Sequence, residues 1–341
     1  MTMKKKRSII ELPTEGATDD TAMEKVIAAQ ARANALQREV NALRKDRDGL
    51  LSEFTDLQQA RPVPTCPKKP ICGVADKVRV YAGDLHGMRM DKECVAAFLS
   101  DIKTLDPDEI VLGGDMLECG GHLAKHQPIG YVALCDYTYQ EDIRATNWFL
   151  DELQTAAPRA RIIYLEGNHE QRVERWCVDQ ALANQRDAGF LRQAYGPATL
   201  LRLDERGITF YSQSEIHGDG LNRGWVSLGN MMVVHNPFGI SGGGKNAASK
   251  AVGKTAGNVT YFHTHTWDQS PQVFPVIGLV AGFCPGCLCE MQPMWKHSDP
   301  SGWNQGYDID FISARMNFQR IHVPFWHGES LAGSMIERVK R

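Results

Sequence analysis

Lys77–Gly87 reads KVRVYAGDLHG, an apolar, β-favouring run that breaks at a glycine and then presents Asp84 and His86. Four further stretches repeat the pattern. Glu109–Glu118, EIVLGGDMLE, presents Asp115, and Arg161–Glu170, RIIYLEGNHE, presents Asn168 and His169. Met231–Asn236, MMVVHN, ends at His235, and Val259–Thr266, VTYFHTHT, carries His263 and His265. Each run has the length and side chains of a buried strand, so each polar group is expected at a strand end. Open α/β sheets bind ligands outside the carboxyl ends of their strands, and five such ends predict one shared site there. His, Asp and Asn are hard and borderline metal ligands.

Between these runs the pattern is helical. Asp91–Leu105 carries Val95, Phe98, Leu99 and Ile102 at helical spacing, and Thr138–Ala156 and Gln171–Arg186 read the same way. Strands at Lys77–Ala82, Glu109–Leu112 and Arg161–Leu165 therefore alternate with helices, which implies a largely parallel sheet. In the second half, strands are expected at Leu200–Leu203, Thr209–Ser212, Trp225–Val234, Val259–Phe262 and Val273–Val280, with one helix in GGGKNAASKAVGKTAG. Met316–Phe325 alternates as a final strand, and Ser330–Lys340 reads as a terminal helix or tail. The expected fold class is α/β, a two-layered mixed β-sheet core flanked by helices, with an N-terminal coiled-coil helix.

That helix spans 21–59, between a basic tail at 1–20 and a proline-rich linker at 60–73; the main domain is expected over 74–341. Its apolar positions alternate by four and three. Val26, Ala33, Val40, Arg47 and Phe54 fall at heptad position a, and Ala29, Leu36, Leu43, Leu50 and Leu57 at d. Leu at d with β-branched Val at a leans toward a parallel homodimer in which Glu39 at g reaches Arg44 at e. A single amphipathic helix folded back on the main domain is the other reading.

Composition excludes more than it assigns. The 341 residues are 43% hydrophobic, enough for a full core, and the formal net charge of -3 draws the chain to neither nucleic acid nor an anionic membrane. No apolar run approaches the roughly 20 residues that span a bilayer, and the basic start lacks an apolar h-region. Nine scattered cysteines suit a reducing compartment, so a cytoplasmic protein without membrane attachment is expected.

The ordered set GDLHG, GGDMLE, GNHE, VVHN and FHTHT resembles the signature of the calcineurin-like metallophosphoesterase superfamily, which runs DxH, GDxx, GNH with an acid, a lone His, and HxH. By motif, the resemblance implies that Asp84, His86 and His265 bind one divalent metal, that Asn168, His235 and His263 bind a second, and that Asp115 bridges them. Manganese, iron and zinc all suit such a set. It further implies that His169 stands outside the metals as the general acid. Glu118 matches the acidic residue of the GDxxDxG motif of the Ser/Thr phosphatase branch, which makes it the carboxylate that orients His169. Glu170 is the competing candidate, with a backbone-holding role as its other reading.

The chain departs from that branch in three places. Cys119 stands where an Arg grips phosphate; Arg172 either replaces that guanidinium or is a surface helix residue. The paired His263 and His265 are closer to the phosphodiesterase and nuclease branches. An apparent insertion, Gly120–Tyr139, carries His122, Lys125 and His126, read as substrate contacts or as a polar surface loop. Cys284, Cys287 and Cys289, with His297, have spacing for a zinc site, although small buried residues at a turn explain them as well. Trp303 is either a base-stacking residue or a loop anchor. The expected function is a two-metal phosphoric ester hydrolase leaning to a nuclease on DNA or RNA. A phosphomonoesterase on phosphoprotein or nucleotide is the alternative, and a coiled-coil scaffold with a non-catalytic phosphoesterase domain is the reading from another class.

Overall fold

The structure, a computed structural model, describes residues 20–59, 75–120, 123, 136–180, 185–213, 224–236, 246–293 and 302–335. Residues 1–19, the 60–73 linker, most of the 120–139 insertion with its His122, Lys125 and His126, and His297 lie outside the described residues. The chain divides into two units, Met1–Cys72 and Gly73–Arg341. In the first, α1 (Asp20–Gln59) is one continuous helix whose Val26, Leu36 and Leu43 are 64, 61 and 62% exposed. No helix among the described residues is long and apolar enough to cross a membrane.

The second unit is mixed α/β. β1 (Lys77–Ala82), β2 (Glu109–Leu112), β3 (Arg161–Leu165) and β4 (Thr209–Tyr211) run parallel, with α2 (Lys92–Leu105), α3 (Tyr139–Ala156), α4 (Gln171–Gln180), α5 (Gln185–Tyr195) and the short α6 (Pro197–Leu200) between them. The antiparallel pair β10 (Gly306–Ile312) and β11 (Phe318–Pro324) extends the sheet past β1, giving the order β11-β10-β1-β2-β3-β4. A second mixed sheet, β5-β6-β7-β9-β8, is built from Trp225–Leu228, Met231–Val234, Asn258–Tyr261, Gly278–Cys284 and Asp268–Phe274, with α7 (Ala247–Thr255) inserted after β6.

Three apolar clusters stack these layers. Val80, Ile110, Ile162 and Tyr164 on one face of the first sheet meet Val95, Phe98 and Ile102 of α2 and Phe149 and Leu153 of α3. The opposite face presents Tyr81, Val111, Ile163 and Leu165 to Val226, Met231, Val233, Phe262 and Phe283 of the second sheet. α7 covers that sheet's far side through Ala248, Ala251 and Val252. Burial on both faces explains why β1, β2 and β3 are unbroken apolar runs and not alternating ones. The helices carry their own start signals: Asp91 accepts from the Glu93 and Cys94 N–H groups, and Thr138 with Glu141 closes a reciprocal capping box.

Three expectations need correction, and one strand was not expected. Leu200–Leu203 is not a strand; α6 and a run of turns replace it, because Pro197 at the first helical position starts a helix that is capped at Leu201, and the turns after it run on to Gly207. Trp225–Val234 is two strands folded about Gly229, whose φ of 74° allows the reversal. Val273–Val280 is likewise the middle of a hairpin, with β8 and β9 paired on either side of its turn. The strand Gly306–Ile312 has no unbroken apolar run to mark it, because Asp308 and Asp310 alternate with its apolar residues and bond to His322 and Arg320 of β11.

Candidate metal centre

β1, β2, β3, β6 and β7 all point their carboxyl ends at one place. Asp84 and His86 follow β1, Asp115 follows β2, Asn168 and His169 follow β3, His235 follows β6, and His263 and His265 follow β7. Backbone bonds lock these turns together: the Asp84 N–H donates to Gly114 O at 3.0 Å, His86 N–H to Asp115 O at 2.9 Å, and Phe262 N–H to His235 O at 3.0 Å. The Asp84 carboxylate accepts from the His263 N–H at 3.0 Å, tying the first sheet to the second.

Asp84, His86, Asp115, His263 and His265 have φ values of 50, 56, 48, 73 and 56°. Left-handed backbone at a non-glycine residue costs about 1–2 kcal/mol. Five such residues on three neighbouring turns are held only because the surrounding bonds over-determine them, the pattern expected where side chains must be aimed and not merely packed.

Of the four groups of ligand-capable atoms within 4.8 Å among the described residues, two share a carboxylate: Asp84, His86, Asp115 and His265 in one, and Asp115, His235 and His263 in the other. Asp115 belongs to both. In the first group His86 Nε2 and His265 Nε2 are 3.0 Å apart, and His265 Nε2 is 3.3 Å from Asp84 Oδ1. In the second, His235 Nε2 lies 3.2 Å from Asp115 Oδ2 and 3.0 Å from Asn168 Oδ1. All seven expected ligands are thus brought together.

The donor set fits divalent cations. His235 Nδ1 sits 2.8 Å from the Gly113 carbonyl, which only accepts, so the imidazole donates from Nδ1. Its Nε2 then faces two oxygen acceptors, an arrangement satisfied by a cation or by an extra proton. His86 is fixed the same way: Nδ1 donates to Glu118 Oε2 at 2.5 Å, turning the Nε2 lone pair toward His265. A second partner that fixes which nitrogen carries the proton is what a metal-binding imidazole needs. Two carboxylates, four imidazoles and one amide oxygen suit manganese, iron or zinc.

The electrostatics follow from this crowding. Burial lowers the proton affinity of the His235 imidazole, but Asp115 and Asp84 outweigh it and raise its pKa to about 9. Burial and the neighbouring His235 push His263 down to about 4. Burial would raise Asp115, yet His235 and His169 hold it well below the usual carboxylate range. For His169, burial works against the charged form while Glu118 and Asp115 favour it more strongly, so its pKa is raised.

Glu118 is buried between two imidazoles. Its Oε2 is 2.5 Å from His86 Nδ1 and 3.2 Å from His169 Nδ1, so it contacts a metal-group histidine as well as the expected one. Glu170 takes the backbone-holding role: its carboxylate accepts from the N–H groups of Asp115, Met116, Leu117 and Gly167 at 2.7–3.1 Å, and from the Tyr164 hydroxyl at 2.7 Å. Arg172 is no surface residue. It donates to Glu118 O at 2.8 Å and to His169 Nε2 at 3.0 Å.

Among the described residues Cys284, Cys287 and Cys289 do not gather as one ligand group, and His297 lies outside them. Cys284 Sγ contacts Thr264 Oγ1 at 3.3 Å, Cys287 Sγ lies 3.5 Å from Asn304 O, and Cys289 Sγ lies 3.9 Å from His265 Nδ1. Among the described residues Cys289 groups instead with His86 and His265. Cys119 is fully buried, and burial with Asp142 nearby raises its thiol pKa, which favours the uncharged thiol. Half-buried Trp303 packs edge-on to His265, ring centroids 4.0 Å apart, which places it beside the first ligand group. The Cys289 and Trp303 contacts with His265 had no signal in the sequence, since both cross from distant loops.

No family model matches the chain, and no curated protein matches it. Solved structures that do match include vacuolar protein sorting 29 from Cryptosporidium parvum, 10% identical at a TM-score of 0.37, over 74% of this chain and 94% of that one. A single mutant of Vps29 from Entamoeba histolytica matches at 12% identity and a TM-score of 0.33, over 73% and 99%. Likeness of this order says nothing about activity.

Proposed function

We propose that the Gly73–Arg341 unit is a metal-dependent phosphoric ester hydrolase of the calcineurin-like metallophosphoesterase type, with two divalent ions. The observation that carries this reading is the shared carboxylate: Asp115 belongs to both ligand groups, beside a His235 Nε2 that faces only oxygen acceptors. Asp84, His86 and His265 would hold one ion, Asn168, His235 and His263 the other, with Asp115 common to both. Such ions, when bound, supply Lewis-acid polarisation of a phosphoryl oxygen and a water nucleophile active near neutral pH.

The chain's own residues supply proton transfer and orientation. Glu118 holds the His169 ring through Nδ1, which leaves Nε2 to deliver a proton to the departing oxygen. Arg172 occupies that nitrogen in the free protein. A phosphoryl group would draw the guanidinium to itself, since a charged oxygen is the stronger acceptor, and release Nε2 to carry the proton.

Within this class a phosphodiester of nucleic acid remains the first substrate to test, on the strength of the paired histidines and Cys119 in the sequence. The position of Arg172 favours the second reading, a phosphomonoesterase, because it returns a guanidinium to the site. A paired assay with manganese separates them, using single-stranded DNA, duplex DNA and p-nitrophenyl phosphate. Turnover of either class should vanish in Asp115→Asn and fall about 10²–10⁴-fold in His169→Asn, which loses the acid and keeps the ligands. Bound metal with no turnover on any of these esters would count for the scaffold reading.

A further inference from the structure

We propose that α1 pairs with α1 of a second copy of this chain as an antiparallel coiled coil in near-complete overlap. The proposal stands apart from the metal centre. Val26, Leu36, Val40 and Leu43 lie on one heptad stripe and are 64, 61, 40 and 62% exposed. A helix of 40 residues with a solvated apolar stripe is stabilised chiefly by what covers that stripe.

Leu at d and Val at a lean toward a parallel pair, but the individual residues favour the antiparallel one. In a parallel pair each core residue meets its own copy. Ala29 on Ala29 and Ala33 on Ala33 leave gaps, and Arg47 on Arg47 sets two guanidinium groups together in the seam. Only one flanking pair, Glu39 with Arg44, is then opposite in sign, since Arg32 would face Gln37. In an antiparallel pair position a faces d and position g faces g. The register that overlaps Asp20–Gln59 along nearly its whole length sets Ala33 across from Leu43 and Ala29 across from Arg47, small against large in both layers. The same register brings Arg32 opposite Asp46, and symmetry repeats the attraction. One like-charge contact, Glu39 with its own copy, falls at the dyad. Exposed Arg47, bonded to Asp48 at 2.5 Å, can pass the small Ala29 of the other copy and keep its head in water.

Sedimentation of the full chain should give a dimer of 38.0 kDa protomers. Arg32→Glu and Asp46→Arg should each weaken it by about tenfold, because each pair occurs twice, and the double reversal should restore it. In a parallel dimer the two reversals would simply add. A short bis-maleimide should link Gln37→Cys, which faces its own copy across the antiparallel dyad, above the background of the unsubstituted chain. Val26→Cys faces its own copy only in the parallel arrangement and should stay at background. A monomer at every concentration, or linkage at Val26 with no restoration in the double reversal, would overturn the proposal.

Discussion

At His235 one imidazole nitrogen is committed to the Gly113 carbonyl and the other faces Asp115 and Asn168 oxygens, so a proton or a metal ion must sit there. The two compete. With no ion the proton stays to about pH 9, so metal affinity should climb with pH below about 9 and level off above it, as titration calorimetry would register. An affinity that is flat between pH 6 and 8 would remove His235 from the ligand set. Dialysed His235→Ala should keep about one ion per chain and Asp115→Asn close to none, by elemental analysis, because only the carboxylate is common to both groups. Asp142 gives a second residue-scale test. Burial, opposed by the Met88 and Cys119 N–H groups, raises its carboxyl pKa to about 7. The folded chain therefore keeps a proton at Asp142 that the unfolded chain releases near pH 4, so the contribution of this group to stability falls as pH rises from about 4 to about 7. Asp142→Asn should flatten that slope in denaturant titrations, whatever it does to the absolute stability.

At the scale of elements, the site depends on how the turns after β2 and β3 are held together. Glu170 satisfies four backbone N–H groups from those two turns, so Glu170→Gln, which swaps an acceptor for a donor, should cost about 2–4 kcal/mol in chemical unfolding and weaken metal binding with it. An unfolding midpoint equal to that of the unsubstituted chain would show that water replaces those bonds. Gly167 stands in the same place: a Cβ there would lie 2.1 Å from Asp115 N and Oδ1, so even alanine displaces the shared carboxylate. The strands that carry the ligands were legible because burial on both faces leaves apolar runs such as EIVL and RIIYL, and a polar residue right after such a run marks its end. The turn partners were harder to read. Glu170 was visible as a candidate, but its bonds to Asp115, Met116 and Leu117 run to residues more than fifty positions away, and no local spacing encodes them. GYDIDFI was missed for the opposite reason. Its acidic face is buried, with Arg320 donating to Asp310 at 2.7 and 2.8 Å, so no unbroken apolar run marks the strand.

For the whole molecule, two units in one chain mean that assembly and chemistry should separate. Ions that bind the folded state and not the unfolded one raise stability by mass action, about 2.7 kcal/mol for each site at a hundredfold excess over the dissociation constant. The centre that would hold them gathers four imidazoles, two carboxylates and five left-handed residues. Chelator should accordingly lower the melting temperature of the full chain, and manganese or zinc should restore it. Because every expected ligand lies in Gly73–Arg341, a chain beginning at Gly73 should show the same metal-dependent increment while losing any concentration dependence that α1 confers. If the shorter chain kept its folded spectrum but lost the increment, the metal centre would need the helix, and the division into separable units would be wrong.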